Sequence, residues 1–184
     1  MAVHVRPAIS ADLPTIKAIY DDQVRTGIST FDVEPPPLSR WEERLADADH
    51  LLVAEDDGAV LGYAFSSTYR PRPAYDRTRE CSVYISTEAR GRGLARTLYD
   101  ELLARLRADR VHTALAVIAR PNPGSEALHS ACGFTLVGVL PEVGRKFDRW
   151  IDTGFWALVL ADDASEAHGG GAEGDVEAVA PDHD

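Results

Sequence analysis

Residues 90–96 read Arg-Gly-Arg-Gly-Leu-Ala-Arg. They separate an apolar run at residues 80–86 (ECSVYIS) from Leu94, Leu98, Leu102 and Leu106, a leucine at every fourth position. The run has the composition of a strand and the leucines share one helical face. The spacing therefore predicts a strand, a glycine turn, and a helix over about 93–108. The turn also has a chemical consequence. Backbone N–H groups at a helix N-terminus lack partners and sit at the positive end of the helix dipole, so they attract anions. Glycine lets the backbone come close to such a group. Arg90, Arg92 and Arg96 add cationic donors around the same point. The plainer reading is a helix that simply begins at a glycine turn. No Lys-Ser/Thr pair follows, so the turn is not a Walker A loop. No ribose-binding acid follows a second strand in the dinucleotide pattern either.

The rest of the chain supplies a sheet for this helix. Leu13, Ile16, Tyr20 and Val24 fall near one face of a helix over about 11–26, with Ser10 as the expected N-cap. Residues 27–37 hold three prolines and read as a loop. Ser39-Arg40-Trp41-Glu42 has the form of a capping box and opens a short helix. Residues 50–55 and 59–67 read as strands joined by Asp57-Gly58, a hairpin signal. Residues 69–79, with two prolines and four arginines, read as a loop. A strand at 111–119, a short helix at 124–132 before Gly133, and strands near 134–139 and 153–160 complete the order. The fold class is α/β (α+β), with a mixed sheet of about seven strands flanked by helices.

Charge divides the chain into two parts. The net charge is -11, yet residues 161–184 hold eight acids and no lysine or arginine. The remaining 22 acids against 19 bases give -3 for residues 1–160. We expect one domain over 1–160 and an acidic disordered tail over 161–184. Nothing resembles the basic footprint of a nucleic-acid binder. No apolar run approaches the ~20 residues of a membrane span, and Met1–Pro7 lacks a signal-peptide core, so the expected location is cytoplasmic. Cys81 and Cys132 form no CxxC pair and read as buried thiols. His129 and Cys132 are too few ligands for a metal, and none is expected.

Arg-x-x-Gly-x-Ala after a strand resembles the acyl-CoA pyrophosphate loop of the GNAT superfamily of N-acetyltransferases. Asn122, followed by a short helix and Gly133-Phe134, is a second mark of that family. The resemblance spans residues 3–160 and implies acetyl-CoA as co-substrate. It implies that Arg90, Gly91, Arg92, Gly93, Leu94, Ala95 and Arg96 surround the pyrophosphate. It also implies that the strand before the loop splays from its neighbour. The backbone of Val83, Tyr84 and Ile85 then holds the pantetheine arm, along with Asn122 and Ser125. Four stretches narrow the resemblance to the phosphinothricin and methionine sulfone/sulfoximine acetyltransferases: Thr30-Phe31 with Glu34; Arg72 to Glu80; Pro121-Asn122 with His129; and Gly144-Arg-Lys146 with Trp150, Asp152 and Phe155-Trp156. Most of the superfamily carries a tyrosine where this chain has His129, and this branch has the same histidine. The branch also implies a homodimer.

Chemistry assigns the roles. An ammonium has no lone pair, so the acceptor must lose a proton before it attacks a thioester. Glu80 opens the strand that leads to the loop and is the first candidate base; a surface ion pair with a neighbouring arginine is the competing reading. His129 serves either as a second base or as the acid for the departing thiolate. A backbone N–H near Val83–Ile85 is expected to meet the oxyanion. Arg70 and Arg72 are expected to bind anionic or strongly polar oxygens, with solvated loop charge as the competing reading, above all for Arg70. Tyr75 is expected to wall the pocket, Phe31 to cover an apolar stem, and Lys146 with Trp150 to close it. The alternatives are a different amine acceptor, a non-catalytic acyl-CoA-binding module, or a partner-binding domain that works through its tail.

Overall fold

The computed structural model describes residues 3–47 and 50–160. The expected disordered tail lies outside them. The strands are β1 His4–Pro7, β2 Leu51–Asp56, β3 Ala59–Thr68, β4 Thr78–Ile85, β5 Thr113–Arg120, β6 Thr135–Lys146 and β7 Arg149–Val159. The helices are α1 Leu13–Thr26, α2 Ser39–Asp47, α3 Leu94–Ala108 and α4 Pro123–Ala131. The strands form one sheet of seven in the order β1-β2-β3-β4-β5-β7-β6. Every neighbouring pair is antiparallel except β4 and β5.

Strand alternation divides the core into two layers. Cys81, with Val83 and Ile85 packed beside it, faces the leucine stripe of α3 on one side of the sheet. Tyr63, Phe65 and Val53 face Ile16, Tyr20, Val24 and Trp41 of α1 and α2 on the other. Both layers carry side chains large enough to hold their helices by apolar burial, at roughly 25 cal/mol per Å² removed from water.

Several local expectations change. Helix α1 is not capped by Ser10. Residues 10–12 form a 3-10 turn, and the Asp12 carboxylate accepts the Ile9 N–H at 2.8 Å while holding Arg6 at 2.7 Å. Helix α2 begins with Ser39 already inside it, and the Leu38 carbonyl accepts from the N–H groups of Trp41 and Glu42. Strand β1, which pairs with β2, was not expected. The last two strands are longer than their expected ranges and join through Phe147-Asp148. Residues 73–75, within the expected 69–79 loop, form a 3-10 turn, and β4 starts at Thr78. Among the described residues, no helix is long and apolar enough to cross a membrane.

Candidate active site

Strands β4 and β5 pair in register only at Thr78–Thr113, Arg79–Ala114 and Glu80–Leu115. Beyond Glu80 they part. β4 keeps its pairing with β3 through Ile85, and β5 keeps its pairing with β7 through Arg120. The inner edges of Cys81–Ile85 and Ala116–Arg120 therefore face each other across a fork. A groove of about 680 Å³ runs through it, bounded by Val83, Tyr84 and Ile85 on one bank and Val117 to Ala119 on the other. The backbone polar groups along these edges can bond an extended amide-rich ligand.

One end of the groove is the glycine turn. Gly91 and Gly93 have φ of 78° and 79°, in the left-handed region that costs a side-chain-bearing residue strain, and Gly93 is the N-cap of α3. A Cβ at either glycine would meet no atom within 4 Å, so both turn toward open space. Arg90, Gly91, Gly93, Leu94, Ala95 and Arg96 line the groove. Arg92 does not: its guanidinium turns to Asp56 at 2.7 Å. Arg96 is held by Asp100 at 2.7 Å and by the Ala131 carbonyl at 2.8 Å, which anchors the start of α3 to the end of α4. Asn122 caps α4 by accepting the Ser125 N–H at 3.2 Å, and both residues line the groove. Capping uses the Asn122 oxygen and leaves its NH2 donors free to face a ligand.

The other end lies where the strands part. Glu80 is the last residue of β4 paired with β5. The groove lining on β4 starts one residue on, at Cys81, and Glu80 sits just outside it, with Ser82 and Tyr84 on the α1–α2 side. It is half-buried, and no ion pair or hydrogen bond holds its carboxylate among the described residues. The competing surface ion pair is therefore absent from the described contacts. Burial raises the Glu80 pKa, and the positive charge of Arg44 partly opposes the rise.

His129 sits on the opposite side, buried with 3% exposure. Its Nδ1 lies 2.7 Å from the Ser125 carbonyl, which only accepts, so Nδ1 carries the hydrogen. Its Nε2 is then an acceptor, and the Tyr99 hydroxyl donates to it at 2.9 Å. Burial lowers the His129 pKa against the opposing pull of Ser125, so the imidazole is neutral near pH 7. The Tyr99 hydroxyl also lies 3.4 Å from the Cys81 carbonyl, one residue beyond the last paired position. His129 and Tyr99 both line the groove, joined by this hydrogen bond. Sequence reasoning missed Tyr99 because it falls beside Leu98 and Leu102 on the α3 stripe and reads as core.

The expected acceptor residues are only partly gathered. Phe31 lies against β6, where a Cβ at Gly144 would overlap its ring. Lys146 is buried and donates to the Thr30 carbonyl at 2.9 Å, so it anchors the 27–37 loop within the same chain. Trp150 is exposed. Arg70 and Arg72 are exposed on the loop, where Arg70 lies over the Tyr69 ring and Tyr69 packs edge-on to Tyr75 at 5.4 Å. No contact among the described residues joins either arginine to Glu80. Arg44 does belong to this face: its guanidinium carbon is 3.8 Å from the centre of the Phe65 ring. As one arginine in a charged helical stretch, it gave no sequence signal.

A groove with an anion-binding turn at one end, two strand edges in the middle, Tyr99 and His129 in its lining and the Glu80 carboxylate just beyond Cys81 fits a long ligand with a phosphate head and a reactive tip. That is the shape of an acyl-coenzyme A, and it defines an acyl-CoA-dependent transferase. The chain belongs to the acetyltransferase (GNAT) family, whose model matches residues 16–134. It is 46% identical over 157 residues to a phosphinothricin N-acetyltransferase of Alcaligenes faecalis, covering 83% of this chain and 80% of that one. It is 38% identical over 165 residues to the L-methionine sulfoximine/L-methionine sulfone acetyltransferase of Pseudomonas aeruginosa, covering 87% and 96%. The crystal structure of a GNAT superfamily phosphinothricin acetyltransferase from Sinorhizobium meliloti, in complex with acetyl-CoA, matches with a TM-score of 0.85. That match has 37% identity and covers 92% of this chain and 95% of that one.

Proposed function

We propose that the chain transfers the acetyl group of acetyl-CoA to the amino group of a small amino-acid-like acceptor of the phosphinothricin, methionine sulfone or methionine sulfoximine type. The observation that carries this reading is the position of Glu80. Among the described residues it is a half-buried carboxylate with no hydrogen-bond or ion-pair partner, at the point where β4 and β5 part, and it faces the α1–α2 layer. The relatives' acceptors support the substrate class.

In the proposed reaction the backbone of Val83–Ile85 and the turn at 90–96 hold the CoA arm and pyrophosphate. Glu80 takes the first proton of the acceptor ammonium, directly or through water. The amine lone pair then forms the C–N bond to the acetyl carbon as the C–S bond breaks. Tyr99 and His129 handle the second amine proton. It passes through the Tyr99 hydroxyl to His129 Nε2, and the imidazolium returns it by the same route to the departing sulfur. The proton on Glu80 leaves to solvent, and the products are amide and thiol. The proposal includes a homodimer and a cytoplasmic location. Exposed apolar side chains on β6 and β7 support the former.

The test is thiol release from acetyl-CoA against phosphinothricin, methionine sulfone, methionine sulfoximine, a polyamine and a ribosomal N-terminal peptide. Wild type is compared with Glu80→Gln. We expect turnover of the amino-acid analogues and a kcat loss of about 10²–10⁴ in the variant. Turnover of only the peptide or the polyamine sinks the acceptor class.

A further inference from the structure

Arg44 lies on α2, over the same face of the sheet as Glu80. Its guanidinium carbon sits 3.8 Å from the Phe65 ring centre and 5.9 Å from that of Trp41. Phe65 pairs with Ser82 and Ser67 with Glu80, so Phe65 is the diagonal neighbour of Glu80 on this face. Arg44 is only partly exposed, and no described carboxylate pairs with it or bonds to it. The other cation nearby, Arg40, is occupied by Asp32 at 2.6 Å. Around the Arg44 charge stand the phenols of Tyr20, Tyr63 and Tyr84, together with Glu80. The Tyr63 hydroxyl is fully buried and also lacks a hydrogen-bond partner among the described residues.

A partly desolvated guanidinium without an anion is costly to keep. The aromatic faces offset some of that cost, and an anionic ligand would offset the rest. The ligand's location follows from the chemistry. An acceptor amine must reach Glu80, and in an α-amino acid the carboxylate sits two bonds from that amine.

We propose that Arg44 binds the α-carboxylate of the acceptor, fixing the amine against Glu80 and selecting amino acids over amines that lack the acid. This rests on the acceptor class argued above and adds the residue that reads its anionic end. Arg44 is a specificity determinant and takes no part in proton transfer. A planar guanidinium meets a carboxylate with two parallel hydrogen bonds. Arg44→Met keeps the apolar stem over Phe65 and removes the fork.

The experiment compares methionine sulfone with its carboxamide as acceptors for wild type, Arg44→Met and Arg44→Lys, reading KM and kcat separately. Wild type is expected to prefer the acid. Arg44→Met should raise KM for the acid about 10–100-fold, leave KM for the carboxamide nearly unchanged, and so erase the preference. Arg44→Lys should restore part of it. The KM for acetyl-CoA should hold in all three, which guards against a folding defect. A preference for the acid that survives in Arg44→Met overturns the assignment, as does a wild type that accepts acid and carboxamide equally. Failure of the acceptor class looks different. Wild type would then turn over neither compound while acetylating the polyamine or the peptide, and that result overturns both readings.

Discussion

The ring of His129 has both nitrogens spoken for, one by Ser125 and one by Tyr99. That fixes the tautomer and ties the imidazole to Tyr99, which lines the groove beside it. In the proposed relay the two residues act as a unit and their losses do not add. We expect Tyr99→Phe to lower kcat about 10²-fold with little change in KM for acetyl-CoA. Adding His129→Ala to that variant should then cost little more, and a double-mutant cycle on kcat measures this. Glu80 yields a separate prediction. Burial raises its pKa, and only the deprotonated form accepts a proton, so kcat/KM should fall as pH drops through a limb above the ordinary carboxylate range. Arg44 lowers that pKa. Arg44→Met should therefore move the acid limb to higher pH, and a pH profile reads the sign. Glu80 and His129 were legible as candidates because a required base and a family motif pointed to them. Tyr99 and Arg44 were not, since a tyrosine on a leucine stripe and an arginine on a charged helix look like core and surface until the chain is folded.

Elements were legible where local chemistry and tertiary pairing agree. Asp57-Gly58 adopts φ of 51° and 79°, the two left-handed residues that a tight hairpin needs, and the pair signals them in sequence. Phe147-Asp148 adopts φ of 51° and 56° and makes the same kind of turn, but phenylalanine carries no such signal. The pairing of β6 with β7 imposes it. Pro141 and Gly144 also obscured β6, because proline breaks a strand pattern. The structure absorbs both in a bulge between Leu140 and Gly144, where the Glu142 N–H reaches Asp152 at 2.8 Å. The glycine turn was read most directly, since its composition, its place before an amphipathic helix and its left-handed backbone require one another. Gly93→Ala should strain that backbone by about 1–2 kcal/mol. We expect a lower Tm and a higher KM for acetyl-CoA, with KM for the acceptor nearly unchanged. A calorimetric scan and steady-state kinetics measure the two effects.

At the scale of the whole molecule, the candidate active face and the proposed assembly face share one sheet. Glu80 and the fork lie at its centre, while the edge pair β6–β7 ends in the open, with Val137 at 63% and Trp150 at 60% exposure. Large apolar side chains grouped on one edge hairpin are costly in water, and a two-fold contact between identical hairpins would bury both copies at once. Because β6 also carries Gly144, on which Phe31 rests, and Lys146, which holds Thr30, such a contact would brace the loop beside the acceptor side of the fork. Assembly and catalysis should therefore be coupled through that loop. We expect the wild type to sediment as a dimer at micromolar concentration and Val137→Asp to sediment as a monomer. The variant should also show a higher KM for the acceptor than for acetyl-CoA relative to wild type, because β6 braces Phe31 and Thr30 directly and makes no described contact with the turn at residues 90–96. A wild type that sediments as a monomer ends the assembly argument. A monomeric Val137→Asp with wild-type kinetics would keep the dimer and remove its link to the loop.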